Sequence, residues 1–393
     1  MKPRTPNTTF QNESMTTGNS KIEVRAVSSS ADQKAFLRFP FDHYAGDPYW
    51  VPTLQITEKE LLNFKPHPFY EKSEIQCFLA LRSGKVVGRI AAIIDGNHNE
   101  FHKEQRGMFG FFESIDDSAV ASALFDQAKA WFRSKSILQL RGPANPSQNH
   151  TWGLLVDGFD SQPKFMMTYN KQYYEKLILE NGFEKSQDMF AFTGNVSMLD
   201  SLDPKLQFVV DEAKRRFKVT TRPIDKKNFT ADVEKFLQIY NAALPGQWGF
   251  TPMTEAEMKE TAKGLKMLLA PELTTIAEID GKPVACVFGL LDYNPIIKKI
   301  NGKLFPFGFL KLLMGKKNIR DIRLVSTNVI PEYQRWGLGL VLLERLVPSV
   351  KAWGIETAEF SWVLESNKLS RGTLERGGAI LEKTYRVYDG ELS

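Results

Sequence analysis

The stretch Val329-Ile-Pro-Glu-Tyr-Gln-Arg-Trp-Gly-Leu-Gly339 leaves an apolar strand, turns, and opens a helix rich in leucine (Leu340, Leu342, Leu343, Leu346). A helix N-terminus presents backbone N–H groups with no partner and the positive end of the helix dipole. Glycines at 337 and 339 keep side chains clear of that end, so an anion can approach the backbone closely. Arg335 adds positive charge beside it, and a pyrophosphate is the natural occupant. Gln334, Trp336 and Leu338 complete the loop. Two other nucleotide motifs do not fit: no Gly-Lys-Ser/Thr is present, and the glycine spacing departs from the dinucleotide fingerprint. Two glycines alone read first as a tight strand-to-helix turn that binds nothing.

Farther on, Asn367-x-x-Ser370-x-x-x-Leu374-Glu375-Arg-Gly377 opens a second short helix. Together, Gln334-x-x-Gly337-x-Gly339 and this segment resemble the two cofactor motifs of the GCN5-related N-acetyltransferase superfamily. The resemblance implies an acyl-coenzyme A co-substrate, acetyl-coenzyme A or another, and no metal. Residues 334–339 would hold its pyrophosphate, Asn367 and Ser370 its pantetheine arm, and the backbone near Val329 its thioester oxygen. It implies direct attack by a primary amine on a small molecule or peptide, with acetyl as the transferred group. Neither cysteine stands where a relay nucleophile would be expected. The chain as a whole resembles a group of bacterial tandem acetyltransferase-like proteins. That likeness is carried by Gly142-Pro-Ala-Asn-Pro-Ser-Gln-Asn149, Gly153-Leu-Leu-Val-Asp-Gly-Phe-Asp160 and Tyr169-Asn-x-x-Tyr173-Tyr174.

The sequence also departs from the pattern. Many relatives place a tyrosine, the acid for the departing thiolate, where this chain has Leu374. Tyr385 and Tyr388 on the last strand are substitutes. All five histidines lie in the first half, so a carboxylate must serve as base. Glu365, closing a strand just before Asn367, is the first candidate, followed by Asp292 and Glu332. Two alternatives stand beside acetyl transfer: a non-catalytic acyl-coenzyme A sensor, and a longer-chain acyltransferase acting near lipid.

The elements that position these residues come from a duplication. Ser83-Gly-Lys-Val-Val-Gly-Arg-Ile-Ala-Ala-Ile-Ile-Asp95 parallels Asp280-Gly-Lys-Pro-Val-Ala-Cys-Val-Phe-Gly-Leu-Leu-Asp292, an offset of 197 residues from Gly84 to Gly281. Arg25-Ala-Val27 matches Arg222-Pro-Ile224, and Leu179-Glu-Asn-Gly182 matches Leu374-Glu-Arg-Gly377. Ordered matches at near-constant offset predict two units of an α/β fold with mixed sheets, which the resemblance identifies as two tandem acyltransferase-like domains with the first degenerate. The expected division is a tail at 1–20, a first domain at 21–195, a connecting helix at 196–217 and a second domain at 218–393. The first unit lacks the phosphate loop, because its strand runs into Glu113-Ser-Ile-Asp-Asp117. Such carboxylates repel a pyrophosphate, so this unit would serve as scaffold or substrate wall. Asn145, Ser147, Asn149, Asp157 and Tyr169 could line an acceptor pocket between the units, with Trp248 and Asp292 from the second.

Composition is ordinary for a globular protein: 42% hydrophobic and 25% charged residues, with a formal net charge of +5. That balance suits an anionic ligand and falls short of a nucleic-acid binder. Cys77 and Cys286, both inside apolar runs, read as free thiols in a reducing compartment, and a cytoplasmic location is expected. One element stands apart. Residues 294–320 carry six lysines and Arg320 with no acidic residue, interleaved with apolar and aromatic residues over 304–314. Membrane contact through 304–314 is the less favoured reading, and a cover over the junction of the units the favoured one. Oligomeric state is not legible.

Overall fold

The computed structural model describes residues 21–197 and 204–392, so the tail expected at 1–20 lies outside the described residues, as does part of the connecting segment. The first half runs β1 (Ile22–Ala26), α1 (Ser30–His43), α2 (Gln55–Leu61), β2 (Glu74–Arg82), β3 (Lys85–Ile94), α3 (Gly96–His102), β4 (Arg106–Ser114), α4 (Ser118–Ser134) and β5 (Gln139–Gly142). A small hairpin, β6 (Ala144–Asn145) with β7 (Thr151–Trp152), precedes β8 (Leu154–Asp157), α5 (Tyr174–Glu180) and β9 (Phe183–Asn195). The second half runs α6 (Pro204–Phe217), β10 (Thr220–Arg222), α7 (Phe229–Ala243), α8 (Glu255–Leu265), β11 (Thr274–Ile279) and β12 (Lys282–Leu291). It continues with α9 (Asn294–Lys299), α10 (Gly308–Gly315), β13 (Asp321–Val329), α11 (Leu338–Ala352), β14 (Thr357–Leu364), α12 (Lys368–Arg376) and β15 (Ile380–Glu391).

Local sequence explains the repeated hairpins. Ser83-Gly84 and Asp280-Gly281 both take left-handed backbone, which suits a two-residue turn between right-twisted strands. β12 is an almost unbroken apolar run because it lies inside the sheet with layers on both faces. Helix α4 buries Val120, Ala121, Leu124, Phe125, Ala128 and Phe132 on one stripe, and α11 buries Leu338, Val341, Leu342, Leu346 and Val350.

The mixed α/β architecture expected from the duplication is present, with one feature that the sequence did not announce. All the main strands join in one sheet, in the order β1-β2-β3-β4-β5-β15-β9-β14-β13-β12-β11-β10, with β8 added against β15. The halves exchange their last strands: β9 pairs with β14 of the second half, while β15 inserts between β9 and β5 of the first. One buried cluster therefore mixes both halves, joining Phe36, Trp152 and Met189 with Tyr385 and Val387. Expressed alone, residues 218–393 would expose β14 and both edges of β15, unpaired edges that aggregate. We expect that fragment to be insoluble, and co-expression with 21–217 to rescue it; a monomeric, cooperatively melting fragment would contradict the exchange.

Candidate active site

Helix α11 begins at Gly337, which takes φ +83° and offers no side-chain cap. Among the described residues, the amides of Trp336, Gly337, Leu338 and Gly339 make no hydrogen bond of good geometry. The matching helix of the first half is closed. Asp117 caps α4 by accepting from the amides of Ala119 and Val120, at 2.9 and 3.4 Å, and is itself paired with Arg82 at 2.6 Å. One helix end thus carries its own anion, and the other is open to an external one.

The two glycines of the loop do different work. A side chain at Gly339 would meet only Thr327 Cγ2 at 3.8 Å, so its absence leaves room. A Cβ at Gly337 would sit 2.3 Å from Val209 Cγ1 on α6, in a backbone conformation that side chains disfavour. Gly337 is thus required by the backbone itself, whereas Gly339 is not. Gln334 closes the loop by donating to the carbonyls of Val329 (2.9 Å) and Ala243 (3.1 Å). The Arg216 guanidinium stacks 3.8 Å from the Trp336 ring, Arg335 is exposed, and Leu338 is buried as the helix anchor.

Beside this loop the sheet opens. β13 and β14 run parallel and pair only over 321–324 and 357–360, after which they part. Ile330 donates to Val284 on β12, so by strand alternation the Val329 N–H points across the gap toward β14. β4 and β5 part in the same way, with pairing limited to 106–108 and 139–141. There the gap is plugged. The Tyr174 hydroxyl accepts from the amide of Ser114, the position that matches Val329, at 3.1 Å. Tyr174 and Tyr44 both donate to Glu113 at 2.7 Å, and Tyr173 donates to the Ser114 carbonyl at 2.8 Å.

Just below the point where β13 and β14 part lies a buried polar chain. Arg323 Nε donates to Ser361 Oγ (2.8 Å), and Ser361 Oγ donates to Glu359 Oε1 (2.6 Å). Arg323 also donates to the carbonyls of Phe165 and Met166 at 3.1 Å each. Three buried atoms here have no partner among the described residues: Glu359 Oε2, Trp362 Nε1 and the Tyr385 hydroxyl. Burial raises Glu359 against the opposing pull of Arg323. It also holds the Tyr385 phenol well above its ordinary range, and the charge of Glu359 adds to that. Sequence alone singles out Tyr385 as a candidate and passes over Arg323 and Glu359, single charges inside strands that resemble solvent-face positions. No sequence signal sets them apart: Arg323 shares its face of the strand with Asp321 and Thr327, and Glu359 shares its face with Thr357 and Ser361, the pattern of a polar, solvated face.

The remaining candidates are placed as follows. The C-terminal ends of parallel β13 and β14 bring the loop, Glu365, Asn367 and Ser370 to one edge of the gap. There Asn367 caps α12 by accepting from the Ser370 amide at 3.1 Å. Glu365 is exposed and paired with Lys185 at 3.1 Å, and Glu332 is exposed. Tyr388 donates to Glu175 at 2.9 Å. Trp248 lies under the Arg141 guanidinium at 4.6 Å and against Trp152 at 5.7 Å, in the cluster that also holds Tyr385 and Trp362. Asn149 joins the halves through Tyr240 (2.7 Å), and Ser147 bonds His150 (2.9 Å). Asn145 and Tyr169 are engaged inside the first half, with the Phe111 amide (2.6 Å) and Asp47 (3.1 Å). Asp157 pairs in register with Thr384. No cluster of three potential metal ligands occurs among the described residues.

Asp292 is a latch between the halves, accepting from the Phe165 amide at 2.9 Å, with Lys164 at 3.9 Å. Burial pushes its carboxyl up to about 7, against the pull of Lys164, and burial does the same to Asp95. Both folded values exceed the ordinary 3.8, so the contribution of these two carboxyls falls as pH rises from about 4 to about 7. It is opposed by His43, His98 and His150, which burial lowers from 6.5 to about 4, 4 and 3 and whose contribution rises. Asp292→Asn removes one of the falling contributions, so the slope of stability against pH across this window should shift upward relative to the unaltered chain. Urea melts at the two ends of this window check it, and an unchanged slope would count against the latch.

No family model matches the chain. It is 36% identical over 375 residues to protein YghO of Escherichia coli, covering 94% of this chain and 95% of that one. It is 34% identical over 391 residues to the bacterial ceramide synthase of Caulobacter vibrioides, covering 95% and 98%. Among solved structures, a tandem GNAT protein from the clavulanic acid biosynthesis pathway superposes with a TM-score of 0.56 at 10% identity, covering 94% of this chain and 98% of that one. A GCN5-related N-acetyltransferase from Sphaerobacter thermophilus gives 0.53 at 12%, covering 94% and 95%. The open helix end, the parted strands and these full-length likenesses agree: the chain has the tandem fold of GCN5-related N-acetyltransferases and belongs to the family of YghO and the Caulobacter ceramide synthase.

Proposed function

We propose that this chain is an acyl-coenzyme A-dependent N-acyltransferase that joins a long acyl group to the amine of a lipid-like amino alcohol. The observation that carries the donor half is the uncapped N-terminus of α11 beside the open gap, against the self-capped and plugged counterpart in the first half. Support for the long chain and the acceptor is the Caulobacter relative, since a ceramide is an amide of a fatty acid with a long-chain amino alcohol. Trp152, Trp248 and Trp362 gather in the apolar cluster that also holds Tyr385, a composition that suits such an apolar acceptor. Acetyl transfer gives way to this reading.

In the proposed reaction, the amides of residues 336–339 and Arg335 hold the pyrophosphate, with Gln334 fixing the loop. Asn367 and Ser370 border the pantetheine arm, and the Val329 N–H faces the thioester oxygen. The amine nitrogen bonds to the carbonyl carbon and the carbon–sulfur bond breaks. Glu359 takes the proton from nitrogen, and Tyr385, kept protonated by burial, gives one to the departing sulfur. Tyr385 is then restored from Glu359, so the net transfer is one proton from nitrogen to sulfur. Glu365, exposed and bound to Lys185, is a poorer base.

Glu359→Gln should lower kcat about 100-fold with donor affinity unchanged, and remove the rise of activity with pH that a raised carboxyl imposes. A retained pH rise would remove Glu359 from the role. The function itself is tested by thiol release across short and long acyl donors, with amino alcohols, amino acids, polyamines and peptides as acceptors. Amide formation confined to long acyl donors and long-chain amines supports it. Tight donor binding with no thiol release from any pair would favour the sensing protein instead.

A further inference from the structure

Helix α10 and the turn before it are apolar on two opposite sides. Gly308 and Leu312 are buried, and Leu304 packs on the main core of the second half. On the other side Phe305 is 78% exposed, Phe307 67%, Leu310 51% and Met314 77%. Phe305 and Met314 are the two most exposed large apolar side chains among the described residues, and all four lie within one ten-residue stretch. Isolated exposed apolar residues need no explanation, but a contiguous set on a helix whose other face is already buried implies a second apolar environment. The expectation that this segment merely covers the junction is met by its buried side alone.

The charges around the patch identify that environment. Lys299, Lys303, Lys311, Lys317 and Arg320 are exposed around it, and no acidic residue occurs between Asp292 and Asp321. Lys316 reaches back to the Leu269 carbonyl (2.7 Å) and ties the segment to a neighbouring groove of about 290 Å³. That groove is lined by Lys226, Phe229, Lys266, Met267 and Leu269, again basic and apolar, with Met267 half exposed. The segment is firmly held to the rest of the molecule: Gly302 exchanges contacts with the 53–55 backbone, where Gln55 donates to its carbonyl at 3.0 Å, and Lys298 bonds the Pro48 carbonyl. Aromatic and long apolar side chains ringed by lysines are what an interface of acyl chains and anionic headgroups takes up.

We propose that residues 299–320, with the Lys226/Lys266 groove, form a docking surface for an anionic lipid bilayer. Docking is peripheral, because no helix among the described residues is long and apolar enough to cross a membrane. Placement in the fold agrees. The segment joins the start of β13, whereas the open helix end follows the far end of that nine-residue strand, roughly 30 Å away. A bilayer at the first place would leave the second facing water, where an anionic donor is not repelled by lipid headgroups. The inference stands apart from acyl transfer, since lipid binding is read without turnover.

The test is co-sedimentation of the full chain with vesicles of phosphatidylglycerol and phosphatidylcholine in equal parts, and with phosphatidylcholine alone. Binding to the mixed vesicles is expected, falling steeply with salt, and binding to the neutral ones should be at least about tenfold weaker. Phe305→Ser/Phe307→Ser/Met314→Ser should abolish binding without lowering the melting temperature, because these side chains are exposed. Lys303→Glu/Lys311→Glu/Lys317→Glu should weaken it by roughly fivefold or more per lysine. Failure of the unaltered chain to sediment with the mixed vesicles would overturn the proposal, and so would undiminished binding in the apolar triple variant. Light scattering that shows a dimer lost in that triple variant would also overturn it, assigning the patch to a second copy of the chain.

Discussion

Replacing Gly339 by aspartate is expected to weaken acyl-coenzyme A binding at least about 100-fold while leaving the melting temperature unchanged or higher. The position is open, with Thr327 Cγ2 at 3.8 Å as the nearest contact of an added Cβ. A carboxylate there would lie in the first turn of α11, and a favourable charge at that end stabilises a helix by about 0.3–1 kcal/mol. The same carboxylate would occupy the place of the pyrophosphate and repel it. Gly337→Ala should behave in the opposite way. Its left-handed backbone and the 2.3 Å approach to Val209 put the penalty on folding, about 1–3 kcal/mol from the backbone alone. Calorimetric titration beside thermal melts separates the two glycines. Equal binding by the aspartate variant would remove the anion site from α11.

Arg323→Met should destabilise the chain by about 3–5 kcal/mol, a large part of the total stability of an ordinary domain. The reason is what it leaves behind. Glu359 is fully buried, shares Ser361 with Arg323, and has no other cation in its hydrogen-bonded chain. The carbonyls of Phe165 and Met166 would also lose a charged donor, loosening the first-half segment that lies over the gap. Arg323→Met/Glu359→Leu should recover most of the loss, because removing both charges leaves an apolar site of similar volume. Urea melts of the single and double variants test this. A double variant no more stable than the single would show that the arginine acts through packing and the carbonyls, not through the glutamate.

The parts that local sequence determines were legible before the fold was known. The strand–loop–helix at 329–339, the hairpins at 83–84 and 280–281 and the duplicated order of elements follow from turn residues and apolar period. The strand exchange was not. β9 and β15 carry the same alternation whichever neighbour they pair with, so partner choice is a long-range fact that no local pattern records. The site was legible in outline for a similar reason. Glycines and a helix start mark a donor loop, but whether a glycine serves ligand or backbone depends on Val209, which lies 128 positions away in sequence. Asn367 also holds the start of α12, a role that needs only three residues of local sequence. The plug in the first half needed Tyr174 to meet Ser114 across 60 residues, although the acidic run 113–117 had already marked that half as closed to an anion.

Amide hydrogen exchange of the full chain, with and without saturating coenzyme A, tests the central claim most directly. Protection should appear at Trp336, Gly337, Leu338 and Gly339, while Ala119, Val120 and Ser114 stay unchanged because their amides are already bonded within the chain. Coenzyme A that binds without slowing exchange at 336–339, or that protects the start of α4 instead, would contradict the account.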